Sequence, residues 1–216
     1  MFVGHYGPAG AAAHKRIKLW HAFFAVQFLD ILWAPFVLLG VEKLRIVPHF
    51  TEANHLDLFY MPFTHSLPMA VFWSVVLAAI YRLLRQGAGW GGALLIGALV
   101  FSHWILDFAV HRPDLELWIG GPKIGLGLWE HRNLSFGAEI GLFLAGMATY
   151  LLRSRALGVV GRVLPIVLIV VAIAAQIFGN WGPPPPSPEA AAWSAIIAYG
   201  LFTIFAAVLD KTRAPV

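Results

Sequence analysis

The sequence predicts an all-α, polytopic membrane helix bundle of about six transmembrane helices, with an N-terminal half-helix. Three observations predict it. Of 216 residues, 59% are hydrophobic and only 12% charged, against about 25% charged in an ordinary soluble domain. Six apolar segments, at 19–41, 67–84, 88–110, 137–152, 159–180 and 190–209, approach the ~20-residue length of a membrane span. The basic residues sit in pairs and triplets beside those segments, as topology signals do. So scattered an excess of positive charge points away from nucleic acid as a partner. The lipid bilayer is the expected partner instead. The length leaves little room for a separate soluble unit, so 1–216 reads as a single integral membrane domain. Within it, 1–140 is the part expected to carry the chemistry and 141–216 a helical scaffold.

The start, Met-Phe-Val-Gly-His, has no basic region ahead of an apolar stretch and does not read as a cleaved signal peptide. GHYGPAGAAAHKR follows, too short to span but rich in small residues that let helices approach closely in a membrane. A half-helix tucked against the first span and a surface-lying tail both fit it. In the first span, AVQFLDILWAPF places Asp30 at mid-bilayer, at a cost of roughly 2.5–3.5 kcal/mol on the lenient insertion scale, so a partner is expected. Pro35 cannot donate to the carbonyl of Ile31, which predicts a kink just beyond Asp30 with backbone oxygen free nearby.

At the head of the second span, FTHSLPMA offers Thr64 or Ser66 as a cap for exposed amides and leaves His65 unexplained. The third span ends FSHWILDFAVHRPD, so His103, Asp107 and His111 recur every four residues on one helix face. Such spacing supplies two ligands to one metal, or a ligand and the acid that orients it; it also fits a polar stripe that holds helices together. Glu139 sits at the expected outer start of the fourth span, where the helix dipole explains an acid, and is kept only as a reserve ligand. The fifth and sixth spans carry no ionisable residue in their interiors and read as lipid-facing scaffold. The turn GNWGPPPPSPE between them shows a helix start at Ser187, Pro188 and Glu189 and no chemistry of its own.

Counting by alternate loops, one side collects Lys15, Arg16, Lys18, Arg82, Arg85, Arg153, Arg155, Arg162, Lys211 and Arg213. The other has Lys43, Arg45, Arg112, Lys123 and Arg132. The positive-inside rule therefore places both termini in the cytoplasm and the loops 42–66 and 111–136 outside. At 1.5 Å per residue, His5, Asp30, His65, His103 and Asp107 rise between ~15 and ~25 Å from the cytoplasmic edge, one layer in the outer half of the membrane. His14, His21, His49, His55 and His131 fall outside that layer or face. With no cysteine, any metal must be held by imidazole and carboxylate.

In order and spacing, an N-terminal His before a small-residue helix, an Asp in the next apolar segment, a THS tripeptide and an HxxxD helix end resemble the bacterial membrane-bound metal-dependent hydrolase family, the LexA-regulated inner-membrane group. The resemblance covers about 1–140 and rests on His5, Asp30, His65, Ser66, His103 and Asp107. It implies an inner-membrane hydrolase with a distant likeness to all-helical zinc-dependent phospholipases and nucleases, and so a phosphoester or lipid-derived substrate. The chain departs from the family's usual PDxD and HRGxTHS segments. It has LDILW and MPFTHS, and lacks the second acid and the basic residue that serve a two-metal site.

The expected mechanism follows. His5, Asp30, His65 and Asp107 hold a divalent ion, zinc by its ligands, with His103 as a further ligand or orienter. A metal-activated water is the nucleophile. His111 and Arg112, just outside the span, shuttle protons and hold an anionic group. The same cluster also fits a proton- or metal-coupled transporter, which inverted repeats would favour though none is visible, and a catalytically inactive membrane scaffold.

Overall fold

The computed structural model describes residues 1–14 and 16–216; Lys15, counted above among the basic residues, lies outside the described residues. The chain opens with a 3-10 turn, Val3–His5, that runs into the half-helix α1 (Tyr6–Ala12). Next come α2 (Leu19–Val26) and α3 (Phe28–Leu38), α4 (Leu67–Leu84), α5 (Gly89–Val110), α6 (Arg132–Leu152), α7 (Val159–Trp181) and α8 (Pro188–Thr212). Five of these helices are long and apolar enough to cross a membrane, and α2 with α3, bent by 48°, make a sixth if counted as one span. Large apolar side chains such as Val163, Ile166 and Val170 on α7 and Ile197, Leu201 and Ile204 on α8 face outward, the surface of a protein that lies in lipid.

The first span is broken, but not where proline predicts. Pro35 lies inside a continuous α3, and the bend falls at Gln27, before Asp30. The groups opened there are taken up by tertiary partners. His103 Nδ1 lies 2.6 Å from the carbonyl oxygen of Val26, and Gln27 Nε2 donates to that of Phe2 at 3.1 Å. Backbone polar groups freed in a bilayer persist only where something in the protein answers them.

The half-helix is tucked against α2 of the first span, as expected, and packs even more extensively along α6, a partner the sequence did not indicate. Glycine makes this possible. A Cβ on Gly146 would strike the backbone of Gly7, and one on Gly10 would come within 2.6 Å of the backbone of Gly146. The fourth span begins at Arg132, five residues earlier than the apolar run implies, so Glu139 lies two turns inside α6, beyond the reach of its dipole.

The two long loops carry short antiparallel hairpins: β1 (Lys43–Ile46) with β2 (Leu56–Tyr60), and β3 (Leu115–Glu116) with β4 (Lys123–Ile124). At the opposite end β5 (Ser154–Ala156) pairs with β6 (Arg213–Pro215). Asp210 of α8 accepts from the amides of Leu19 and Trp20 at 3.0 Å each, satisfying the start of α2 from another helix. Ser187 caps α8 as expected, accepting from Ala190 N at 3.2 Å.

Candidate metal centre

Four segments deliver the site. The 3-10 turn brings His5, α3 brings Asp30, the residue before the N-cap of α4 is His65, and the C-terminal half of α5 carries His103 and Asp107. His5, His65, His103 and Asp107 are all buried. His65 Nε2 lies 3.4 Å from His103 Nε2, and Asp30 Oδ1 lies 3.3 and 3.6 Å from those two nitrogens. Three donors with such separations form one face of a tetrahedron: zinc bonds of about 2.0–2.1 Å imply ligand-to-ligand edges of roughly 3.3–3.4 Å. Asp107 Oδ2 lies 3.0 Å from His103 Nε2 and 3.5 Å from His65 Nε2. Its other oxygen is 3.1 Å from His5 Nε2 and 2.6 Å from the amino group of Met1. The ring of His5 stacks on that of His103, centroids 3.7 Å apart. These residues form two groups able to hold an ion, Asp30–His65–His103 and His5–His103–Asp107. His103 belongs to both, a more central position than the orienting role open to it in sequence.

The far sides of the imidazoles show what each ring offers. His103 Nδ1 donates to Val26 O, since a carbonyl can only accept. Thr64 Oγ1 donates its one proton to Glu42 Oε2 at 2.7 Å, so His65 Nδ1, 2.6 Å from the same hydroxyl, must be the donor to it. Both rings therefore spend Nδ1 on an outer acceptor and turn Nε2 inward, the arrangement by which outer hydrogen bonds prepare a histidine for metal. One lone pair cannot serve two ions, so His103 limits the two overlapping groups to one ion at a time through its Nε2.

Glu42 is a residue that sequence reasoning missed. It accepts from Phe63 N and Thr64 N at 2.8 and 2.9 Å as well as from the Thr64 hydroxyl. Burial pushes its carboxyl above the usual value, against the opposing pull of His65 and the Thr64 bonds. Thr64 is thus a link to His65 and not a helix cap. Ser66 stands at the N-cap position but gives its hydroxyl to Pro62 O, 2.6 Å away.

The scaffold expectation for the last two helices needs correction too. Tyr199 of α8 donates to Asp30 Oδ2 at 2.6 Å. Gln176 of α7 accepts from Val3 N at 3.3 Å and donates to Asn180 at 2.7 Å. Glu139, a reserve at most in sequence, is buried and accepts from Phe2 N at 2.8 Å and Gly4 N at 3.4 Å. It anchors the turn that presents His5. These roles are invisible locally because a tyrosine or glutamine in an apolar helix gives no sign of its partner.

His111 follows the last residue of α5 and is buried; its Nδ1 is 2.8 Å from Asp114 and its Nε2 3.9 Å from Asp107 Oδ2. Arg112 points away. Its guanidinium lies over the ring of Phe50, 4.7 Å from the centroid, with Glu130 3.9 Å off. His21 lies apart from the cluster, 3.1 Å from the Tyr81 hydroxyl, and His55 touches Gly182 O at 3.3 Å.

A cavity of about 370 Å³ adjoins the cluster and runs between α3, α7, α8 and the β1–β2 hairpin. Asp30, His65, Asp107 and His111 lie in its wall, whereas Arg112 does not. Compared with protein-family models, curated proteins and solved structures, the chain matches none.

Proposed function

We propose that the chain is a membrane-embedded, metal-dependent hydrolase. The observation that carries this reading is the triangle of His65 Nε2, His103 Nε2 and Asp30 Oδ1, with edges of 3.3–3.6 Å beside an open cavity. Three protein ligands with room for a fourth is the pattern of a catalytic zinc site, as against a closed structural one. In this reading Asp30, His65 and His103 would hold the ion and leave its fourth position to water, while Asp107 stands beside His103 and His5 braces Asp107 from behind. A bound divalent cation supplies a water molecule whose pKa falls toward about 7. His111, fixed by Asp114, is placed to carry a proton between Asp107 and the cavity. Arg112 has no part in it.

The resemblance to the bacterial membrane-bound hydrolase group supports the same reading, and with it an inner-membrane location. The positive-inside rule assigns the end that bears Arg16, Arg153, Arg155 and Arg213 to the cytoplasm and the hairpins in the two long loops to the outer side. Met1 lies within the bundle beside Asp107, so the expectation of two cytoplasmic termini is corrected for the N-terminus, and the cytoplasmic assignment applies to Arg16, Lys18 and the C-terminus.

Metal analysis of the purified protein tests the reading. Wild type should carry about one zinc-like ion per chain, as one lone pair on His103 requires. His65→Ala and His103→Ala should carry little. Equal, negligible metal in all three would sink it. Metal that supports ion flux into liposomes through the same residues, with no ester cleaved, would establish a transporter instead.

A further inference from the structure

The cavity wall holds three carboxylates, Asp30, Asp107 and Glu139, and among the described residues no lysine or arginine. The one fixed cation there, the Met1 amino group, is already paired with Asp107 at 2.6 Å, so apart from the ion of the proposed site an anionic headgroup would face the remaining acids unanswered. The remaining wall is mostly apolar, with Trp33, Leu58, Met61 and Trp129 prominent.

The position of the mouth is equally specific. Of all the lining residues, only Phe178, Gly179, Pro183 and Ser194 are exposed. They belong to the end of α7, the start of α8 and the turn between them. Phe178 and Ser194 lie roughly 5–9 Å below the outer helix ends at 1.5 Å per residue. That depth is inside the apolar span, so the opening faces acyl chains as well as water.

One polar group in the wall has no partner. The indole Nε1 of Trp33 is buried without a hydrogen bond, on a side chain 5% exposed that lines the cavity. Trp33 follows Asp30 by three residues on α3, one turn away on the same face. An unanswered buried donor there fits an acceptor on a ligand, one helical turn along α3 from Asp30.

We infer that the site takes a neutral long-chain carboxylic ester, entering from the membrane between α7 and α8, with its carbonyl oxygen received by Trp33 Nε1–H. The inference rests on the hydrolase reading and names its substrate class. Hydrolysis would form a bond from the oxygen of water to the carbonyl carbon and break the bond from that carbon to the alkoxy oxygen. One proton of water ends on the alcohol, and the other leaves as the fatty acid ionises. The phosphoester implied by family resemblance is not what this wall accommodates.

Photolabelling of the purified full chain tests it, with and without added zinc. The probes are a diazirine-tagged monoacylglycerol, a diazirine-tagged alkyl phosphate of equal chain length and a diazirine-tagged hydrocarbon. The monoacylglycerol should mark the facing ends of α7 and α8 more strongly than the phosphate does. Ala195→Trp, filling the wall, should cut that labelling at least about tenfold, more than 1.4 kcal/mol of lost binding; Ala198→Phe serves if that variant does not fold. Trp33→Phe should weaken the ester probe about fivefold, as loss of one hydrogen bond does, and leave the hydrocarbon unchanged. Equal or stronger labelling by the phosphate, or labelling indifferent to both wall-filling variants, would overturn the inference. Metal content and ester turnover are read on the same samples. Ester labelling with no bound metal overturns the hydrolase reading and leaves the ligand class standing. Turnover of phosphate esters alone overturns the ligand class and leaves the hydrolase.

Discussion

His103 shows how much one side chain can carry in this molecule. Its Nδ1 closes the break in the first span by bonding Val26 O, and its Nε2 faces both Asp30 and Asp107. Helix bend and ligand set therefore stand or fall together. His65 depends in the same way on Thr64 and Glu42, a chain in which each proton has one place to go. Thr64→Val should lower zinc affinity about 10- to 100-fold, the usual cost of losing an outer partner. Thr64→Ser, which keeps the hydroxyl, should stay near wild type; competition titration against a zinc chelator reads both. The five residues of the cluster were legible in sequence because charge in an apolar span is conspicuous and depth can be counted. Glu42 and Tyr199 were not, since their partners lie 22 and 169 residues away, and nothing local marks either as bound to the cluster.

Among the elements, the contact of α1 with α6 is the most constrained. Gly7 and Gly146 meet backbone to backbone, and a methyl group at 146 has nowhere to go. Gly146→Ala should destabilise the protein by about 1–3 kcal/mol, as overpacking does, and weaken metal retention by displacing the turn that holds His5. Gly141→Ala on the same helix, where an added Cβ meets nothing within 4 Å, should change neither; thermal unfolding with parallel metal analysis compares them. The small-residue composition of residues 4–13 foretold close packing but not the partner, because any glycine-bearing helix would satisfy it. The bend misled for a related reason. Proline marks where a hydrogen bond must be missing, whereas Gln27 shows that tertiary partners can open the ladder where the sequence carries no breaker.

Taken whole, the chain was most readable in its spans, whose apolar runs follow from the thickness of the bilayer. The hairpins in the two long loops were not readable. They are only two to five residues per strand, and pairs so short owe their register to what surrounds them. The β1–β2 hairpin matters for orientation, because it walls the cavity at the end opposite the β5–β6 pair. The absence of native cysteine makes orientation simple to measure. In intact cells stripped of any outer envelope, a membrane-impermeant maleimide should label Asn133→Cys, at the start of α6, and should reach Arg155→Cys in β5 only after the membrane is opened. The reverse pattern would invert the molecule and with it the leaflet that feeds the cavity.

The anchoring of Phe2 by Glu139 spans 137 residues of chain, which sets an order of events during synthesis. The segment that carries His5 leaves the ribosome well before α6, and its seat there is made only after α2, α3, α4 and α5 have also emerged. Until then His5 has no Glu139 to hold its turn and no Gly146 to lie against. The cluster is therefore a late product of membrane insertion, completed when the turn that carries His5 is captured by a helix made after α5.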